Sequence, residues 1–245
     1  MNILLIGSGG REHAIARALA VSPSLPKIFA APGNPGIAQF ADIVKLDVAN
    51  NSEVISFCKN NSIDYVFVGP EQPLAAGLGD APTAAGVPVF GPSKAAAQLE
   101  SSKDFAKQIM MKYGVPTAAY RTFSADDVAE AREFIQTMNC PIVLKADGLA
   151  AGKGVIIAES YAEANEALDN IFGGEFGASG ARVVIEEFMH GEEASVFAVT
   201  DGTSFVTLAP SQDHKRALDG DLGKNTGGMG AYAPAKIVTP ELMQI

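Results

Sequence analysis

The sequence predicts an α/β protein: a doubly wound, mainly parallel sheet followed by a smaller α+β unit with a glycine-rich hairpin. Three observations predict it. Short β-branched runs alternate with helical stretches through the first hundred residues, the pattern of parallel strands joined by crossover helices. The segments after those strands, GSGGRE, APGNPG, VGPEQP and FGPSK, collect glycine, proline and charge at the carboxyl ends, where ligands of such sheets bind. Farther on, IVLKADGLAAGKGV (142–155) sets two strand-like runs around a glycine-rich tip.

Taken in order, residues 2–6, 27–31, 64–68 and 87–90 read as strands, with 43–46 a weaker one. Residues 11–20, 51–60 and 75–85 read as helices. From 95 to 113 the pattern is helical and Gly114-Val115-Pro116 ends it. Ser124, with Asp127 three residues later, caps a helix running to about Met138. Strands follow at 142–146 and 155–158, then a helix over 161–172 and a strand over 182–187. Residues 193–200 and 204–208 flank an Asp201-Gly202 turn and predict an antiparallel hairpin. Residues 210–230, charged and rich in glycine, read as one long loop, a length that is usually functional or disordered. There is no internal repeat.

The 245 residues are 47% hydrophobic and 19% charged, enough for a substantial core in two or more lobes. A formal net charge of −10 argues against nucleic acid or an anionic membrane as partner. Positive charge for an anionic substrate must therefore be local. The opening MNILLIGSGG has no basic leader, and glycine breaks its apolar run before signal-peptide length. No other run reaches membrane-spanning length, so a cytoplasmic protein is expected. Cys58 and Cys140 form no cluster and read as reduced, mostly buried thiols. His13, His190 and His214 share no ligand spacing, which disfavours zinc.

The glycine tip carries the clearest chemistry. Gly148, Gly152 and Gly154 surround Lys153, and Lys145 lies in the strand before them. Such a tip can fold its N–H groups over a polyphosphate while two ammonium groups supply charge. It is not the P-loop spacing: Gly148 to Gly152 is one residue short, and Gly154 follows the lysine. The alternative, a hairpin with lysines for solubility, needs only one or two glycines. At the first loop, 7–12, a strand meets a helix N-terminus that favours an anion. A dinucleotide fingerprint requires glycine at position 12, where the chain has Glu12. The next strand end, Phe29-Ala30-Ala31-Pro32, lacks the acidic residue that grips a ribose. An NAD enzyme is disfavoured, and the phosphate of a smaller sugar fits; a turn serving packing alone is the other reading. Glu71, after Gly69-Pro70, is placed to accept from ribose hydroxyls or an amine, or is a surface residue of the turn. Alternation along 183–188 puts Glu187 with Val183 and Ile185, and Glu186 with Val184 and Phe188. At least one glutamate is therefore partly buried, although an acidic run such as Glu186, Glu187, Glu192 and Glu193 is ordinarily a solvated face.

GSGGREHA, VGPEQPL, FGPSKAAAQLESSK, IVLKADGLAAGKGV, VIEEFMHGEEAS and SQDHKR…NTGGMGAY occur in this order. Together they resemble the glycinamide ribonucleotide synthetases (phosphoribosylamine–glycine ligases), ATP-grasp enzymes of purine synthesis. The resemblance implies a pre-ATP-grasp substrate domain over 1–102, the start of the central ATP-grasp lobe over 103–122, a small lid lobe over 123–188, and part of the central lobe over 189–245. It implies ligation of glycine to 5-phosphoribosylamine, with ATP cleaved to ADP and phosphate through glycyl phosphate. By similarity, Lys103 and Lys145 contact ATP phosphates, and Gly148, Gly152, Lys153 and Gly154 belong to the lid. Glu186, Glu187 and Met189 mark the hinge that reads adenine, and Glu193 takes the ribose hydroxyls. Gly9, Gly10 and Glu71 resemble the phosphoribosylamine site. Asp213, His214 and Lys215, with Asn225, Thr226 and Gly227, resemble segments closing on the substrates, and Lys145, Asp213, His214 and Lys215 carry the catalytic roles.

Members of the family continue past the match to Ile245, through a region that carries the Mg²⁺ ligands. The expectation is a shortened chain using ATP and Mg²⁺, with no metal ligand of its own and no ligase activity alone. It is expected to be a monomer or weak homodimer with only small-molecule partners. Two other readings stand beside this one: a different ATP-grasp enzyme, such as a biotin-carboxylase-like subunit, and a non-catalytic nucleotide- or sugar-phosphate-binding module.

Overall fold

The computed structural model describes residues 1–24, 27–149, 154–220 and 222–244. Two compact units make up the chain, Met1–Ile109 and Met110–Ile245.

The first unit runs β1 (Asn2–Gly7), α1 (Gly10–Ala20), β2 (Lys27–Pro32), β3 (Asp42–Ile43), α2 (Asn51–Asn60) and β4 (Tyr65–Val68). It continues with α3 (Glu71–Ala76), α4 (Asp80–Ala84), β5 (Val89–Phe90), α5 (Gln98–Ser101) and α6 (Lys103–Tyr113), which crosses into the second unit. The five strands are parallel in the order β3-β2-β1-β4-β5. β1 is apolar on both faces because both are covered: Leu4 and Ile6 join one core with Phe29, Val54 and Val66, while Leu5 joins another with Ala16, Ile28 and Ile37. The strand order reverses between β1 and β4, so a crevice is expected beyond Gly7 and Val68.

Two helical expectations divide. The helix predicted over 75–85 is two short ones, because Gly77 takes a left-handed φ of +104° and closes α3. The run from 95 to 113 breaks at Ser102, whose backbone is extended between α5 and α6.

The second unit opens with β6 (Tyr120–Ser124), a 3-10 turn and α7 (Val128–Gln136), followed by β7 (Ile142–Ala146), β8 (Val155–Ala158), α8 (Tyr161–Phe172) and β9 (Arg182–Glu187). Its sheet is antiparallel in the order β6-β9-β7-β8. One face, with Phe123, Ile142, Leu144, Val183 and Ile185, packs on Ala131 and Ile135 of α7 and on Leu168 and Ile171 of α8. Each fully buried Leu or Ile contributes about 1.5–3 kcal/mol. The expected cap is present: Ser124 N–H donates to Asp127 Oδ2 at 3.1 Å.

The rest of the unit is β10 (Ala198–Thr200), β11 (Phe205–Thr207), β12 (Gln212–Leu218) and β13 (Leu222–Tyr232). β10 and β11 pair antiparallel, as predicted, around a turn in which Asp201 Oδ1 accepts from the Thr203 and Ser204 N–H groups. The long loop expected over 210–230 is instead the antiparallel pair β12–β13, with two register shifts. β12 is half-buried or exposed along its length, so no apolar face exists for alternation to reveal. Cys58 is buried as expected, whereas Cys140 is exposed.

Candidate functional site

In the first unit, candidate residues gather at the carboxyl ends of β1 and β4. Gly7 turns the chain out of β1 at φ +131°, and Gly9 caps α1. Gly9 and Gly10 are exposed, and a Cβ on Gly10 would meet nothing within 4 Å. Asn34 braces the loop, its Nδ2 donating to Ser8 O at 2.8 Å and its Oδ1 accepting from Ile37 N at 2.8 Å. Glu71 is exposed at the first position of α3. Lys103 is half-buried at the start of α6.

Glu12 is the residue whose role the sequence did not disclose. It is buried, its Oε2 accepts from Gly9 N at 2.7 Å, and its Oε1 accepts from Arg11 Nε at 2.8 Å. The available signal was its spacing, three residues after the cap, where a glutamate reaches back to the cap N–H.

In the second unit, Lys145 and Glu186 project from the sheet face away from the helices. Lys145 is opposite Val184, and Val143 is opposite Glu186, so lysine and glutamate meet on a diagonal. Their ammonium and carboxylate form an ion pair; the Glu186 side chain is 3% exposed and that of Lys145 29%. Val143 and Val184 beside them are buried, giving an apolar strip between charged groups. Of the two glutamates, Glu186 is buried, while Glu187 at the strand end is exposed, its Oε1 accepting from Ala119 N at 2.9 Å.

The base of the glycine tip is tied to the segment before β9. Gly148 has φ +143° and packs where a Cβ would lie 2.7 Å from Ser179 Oγ. Ser179 Oγ donates to Leu149 O at 3.3 Å, and Arg182 Nη2 meets Asp147 Oδ2 at 2.6 Å. Gly154 closes the hairpin, its carbonyl accepting from Ala146 N at 2.8 Å. Gly152 and Lys153 lie outside the described residues.

A second charged group forms around β12. Lys215 pairs with Glu193, and its Nζ is 3.9 Å from Asp213 Oδ2. Thr226 Oγ1 donates to Lys215 O at 2.8 Å and accepts from Gly228 N at 3.1 Å. His214 is exposed and stacks with Tyr232 at 6.0 Å between centroids. Asn225 and Gly227 lie in β13, and Met189 is exposed. The geometry therefore joins Glu193, Asp213, Lys215 and Thr226, and separately Lys145 and Glu186.

The arrangement offers ammonium groups for an anion and carboxylates for hydroxyls or an amine. Among the described residues, no three His, Cys, Asp or Glu side chains are grouped to hold a metal ion, and no helix is long and apolar enough to cross a membrane.

Comparison with known proteins gives a consistent picture. Residues 1–100 match the phosphoribosylglycinamide synthetase N domain, and residues 101–245 match the phosphoribosylglycinamide synthetase ATP-grasp (A) domain. A phosphoribosylamine–glycine ligase of Rhizobium meliloti is 57% identical over 244 residues, covering 100% of this chain and 57% of its own length. The crystal structure of the Thermotoga maritima phosphoribosylamine–glycine ligase has a TM-score of 0.81 at 35% identity, over 96% of this chain and 56% of that one. The biotin carboxylase domain of Hydrogenobacter thermophilus 2-oxoglutarate carboxylase has a TM-score of 0.75 at 17% identity, over 99% of this chain and 55% of that one. At that identity the likeness speaks for the fold alone.

Proposed function

Because the chain belongs to the phosphoribosylglycinamide synthetase family, we propose that the protein ligates glycine to 5-phosphoribosylamine at the expense of ATP. The observation that carries this reading is the family match across all 245 residues, with 57% identity to a ligase of that name. The chain spans about 57% of that relative's length, so these residues supply part of the machinery its relatives contain.

A glycine carboxylate is a poor acyl donor. Its oxygen attacks the γ-phosphorus of ATP, ADP leaves, and the resulting glycyl phosphate carries a competent leaving group. The sugar amine then attacks the carbonyl, phosphate departs, and the amine proton is lost. Such chemistry depends on positioning and charge neutralisation. In this reading Lys145 and Lys103 neutralise the ATP phosphates, and the glycine tip with Gly148, Gly152, Lys153 and Gly154 shields the acyl phosphate from water. The buried Glu186 accepts from the adenine amine beside the Val143–Val184 strip, next to the backbone of Glu187 and Met189, and Glu193 accepts from the ribose hydroxyls. Lys145 and Lys215, each paired with one of these carboxylates, exchange a carboxylate for a phosphate when nucleotide binds. Gly9, Gly10 and Glu71 hold phosphoribosylamine, while Asp213, His214, Lys215, Asn225, Thr226 and Gly227 close on the substrates.

In this reading Mg²⁺ is held by residues of the family's remaining length, since Glu193 and Asp213, the carboxylates near one another at β12, bracket Lys215. The same reading makes the protein a cytoplasmic monomer or weak homodimer, and leaves residues 1–245 alone able to bind but not to turn over. The biotin-carboxylase-like alternative rests on fold likeness at 17% identity and is disfavoured by the family match.

Two measurements test this. Titration calorimetry of the 245-residue chain with a non-hydrolysable ATP analogue is expected to show one site, lost in Lys145→Met. Fused to the remaining length of a relative, the chain is expected to release ADP only when glycine and phosphoribosylamine are both present. ADP release with bicarbonate and no glycine would overturn the assignment.

A further inference from the structure

Glu12 sits where the strand order of the first sheet reverses, and three glycines make room for it. A Cβ on Gly7 would lie 2.5 Å from its Cγ, one on Gly69 2.0 Å from its Oε1, and one on Gly9 3.0 Å from its Oε2. The loops after β1 and β4 therefore share one carboxylate as their packing surface. Its side chain is only 4% exposed, and burying a carboxylate is costly unless it is paired. Here the Gly9 N–H and the Arg11 guanidinium meet it. Burial pushes the Glu12 carboxyl upward, but the Arg11 bond and the Gly9 N–H outweigh it, and the net shift is downward. The carboxylate is charged at neutral pH.

This has two consequences for any ligand at the strand ends. The Gly9 N–H is turned inward onto Glu12. Arg11 is fixed through Nε alone, its side chain 60% exposed. Its four remaining N–H groups have no partner among the described residues. They are exposed in the first turn of an 11-residue helix, whose positive end favours an anion.

We propose that Glu12 is a positioning residue for the substrate phosphate: it locks the two strand-end loops together and aims Arg11 at a single phosphate monoester, while its charge rejects a bridging pyrophosphate. The inference rests on the phosphoribosyl reading above and adds to it the group that grips the phosphate and the group that holds that grip. Where a dinucleotide-binding turn has glycine for close approach, this chain has an anion.

Calorimetry with ribose 5-phosphate, ribose and NAD on the native chain and on Glu12→Gln, Arg11→Ala and Arg11→Lys tests the idea. Native protein is expected to bind ribose 5-phosphate, with no measurable NAD binding. Glu12→Gln and Arg11→Ala are each expected to weaken ribose 5-phosphate at least tenfold and to leave ADP within twofold. The double variant should be little worse than either single, because both act through one guanidinium. Arg11→Lys keeps the charge and loses the Nε fork; it should weaken binding severalfold, and as an exposed substitution it guards against a misfolded Glu12 variant. Native binding of ribose 5-phosphate that Glu12→Gln, Arg11→Ala and Arg11→Lys leave unchanged overturns the proposal but not the phosphoribosyl reading. Absence of ribose 5-phosphate binding by the native chain removes both.

Discussion

Each unit of this chain buries one glutamate in a candidate site, and the two are held by opposite means. Glu12 takes its donors from within its own turn, the Gly9 N–H and the Arg11 guanidinium. Glu186 takes its cation from another strand, across a diagonal of an antiparallel sheet. A locally held carboxylate keeps its partners whenever the turn exists. A carboxylate held across strands depends on register, and its lysine, 29% exposed, is open to an approaching ligand. The first arrangement suits a fixed frame and the second suits a site that rearranges on binding.

The largest effect is expected where that contrast is broken at Glu186. Lys145→Met removes the ammonium paired with a buried carboxylate, and losing one member of a buried pair costs about 3–5 kcal/mol. Urea unfolding of Lys145→Met should show a loss of that order, and Lys145→Met with Glu186→Leu should recover most of it. A loss below about 1 kcal/mol is the value of an exposed pair and erases the distinction from Glu12.

A smaller, pH-dependent effect should appear at Glu12. Its carboxyl lies below its ordinary value of 4.5 in the folded chain. The sign follows from linkage: a lowered folded value contributes stability that is present above 4.5 and fades as pH falls through the folded value. The stability gap between native protein and Glu12→Gln should therefore be widest near neutrality and should shrink in acid. Denaturant midpoints measured across that range check it, and a gap constant with pH contradicts the local-donor account.

The same contrast explains what could be read in advance. Elements built from local patterning are legible: 142–146, 155–158, 161–172 and 182–187 coincide with β7, β8, α8 and β9, because each is a short apolar run or an amphipathic helix with a clear boundary. Alternation foretells a partly buried glutamate but not which one: it groups Glu187 with Val183 and Ile185, yet Glu186 is the buried residue and Glu187, at the strand end, is exposed. The β12–β13 pair is not legible, since QDHKRAL is polar on both faces and LGKNTGGMGAY is loosened by glycine. Only Asp219-Gly220 at its turn carried a hairpin signal. With that hairpin went the grouping of Glu193, Asp213 and Lys215, which depends on pairing distant segments. The split of 75–85 turns on one left-handed glycine, Gly77, which helical propensity alone does not reveal.

The smallest effect sharpens the comparison by matching one local device in both units. Asn50 Oδ1 accepts from Glu53 N at 3.3 Å at the start of α2, and Ser160 Oγ accepts from Glu163 N at 3.3 Å at the start of α8. Both are caps three residues from their donors, in exposed settings, and a cap of this kind is worth about 1 kcal/mol. Asn50→Ala and Ser160→Ala should therefore cost similar amounts in denaturant unfolding, although one helix packs on a parallel sheet and the other on an antiparallel one. Equal losses mean that locally held groups behave alike wherever they stand, leaving the difference between Glu12 and Glu186 to the reach of their partners. A cost confined to one unit shifts the explanation to the sheets themselves.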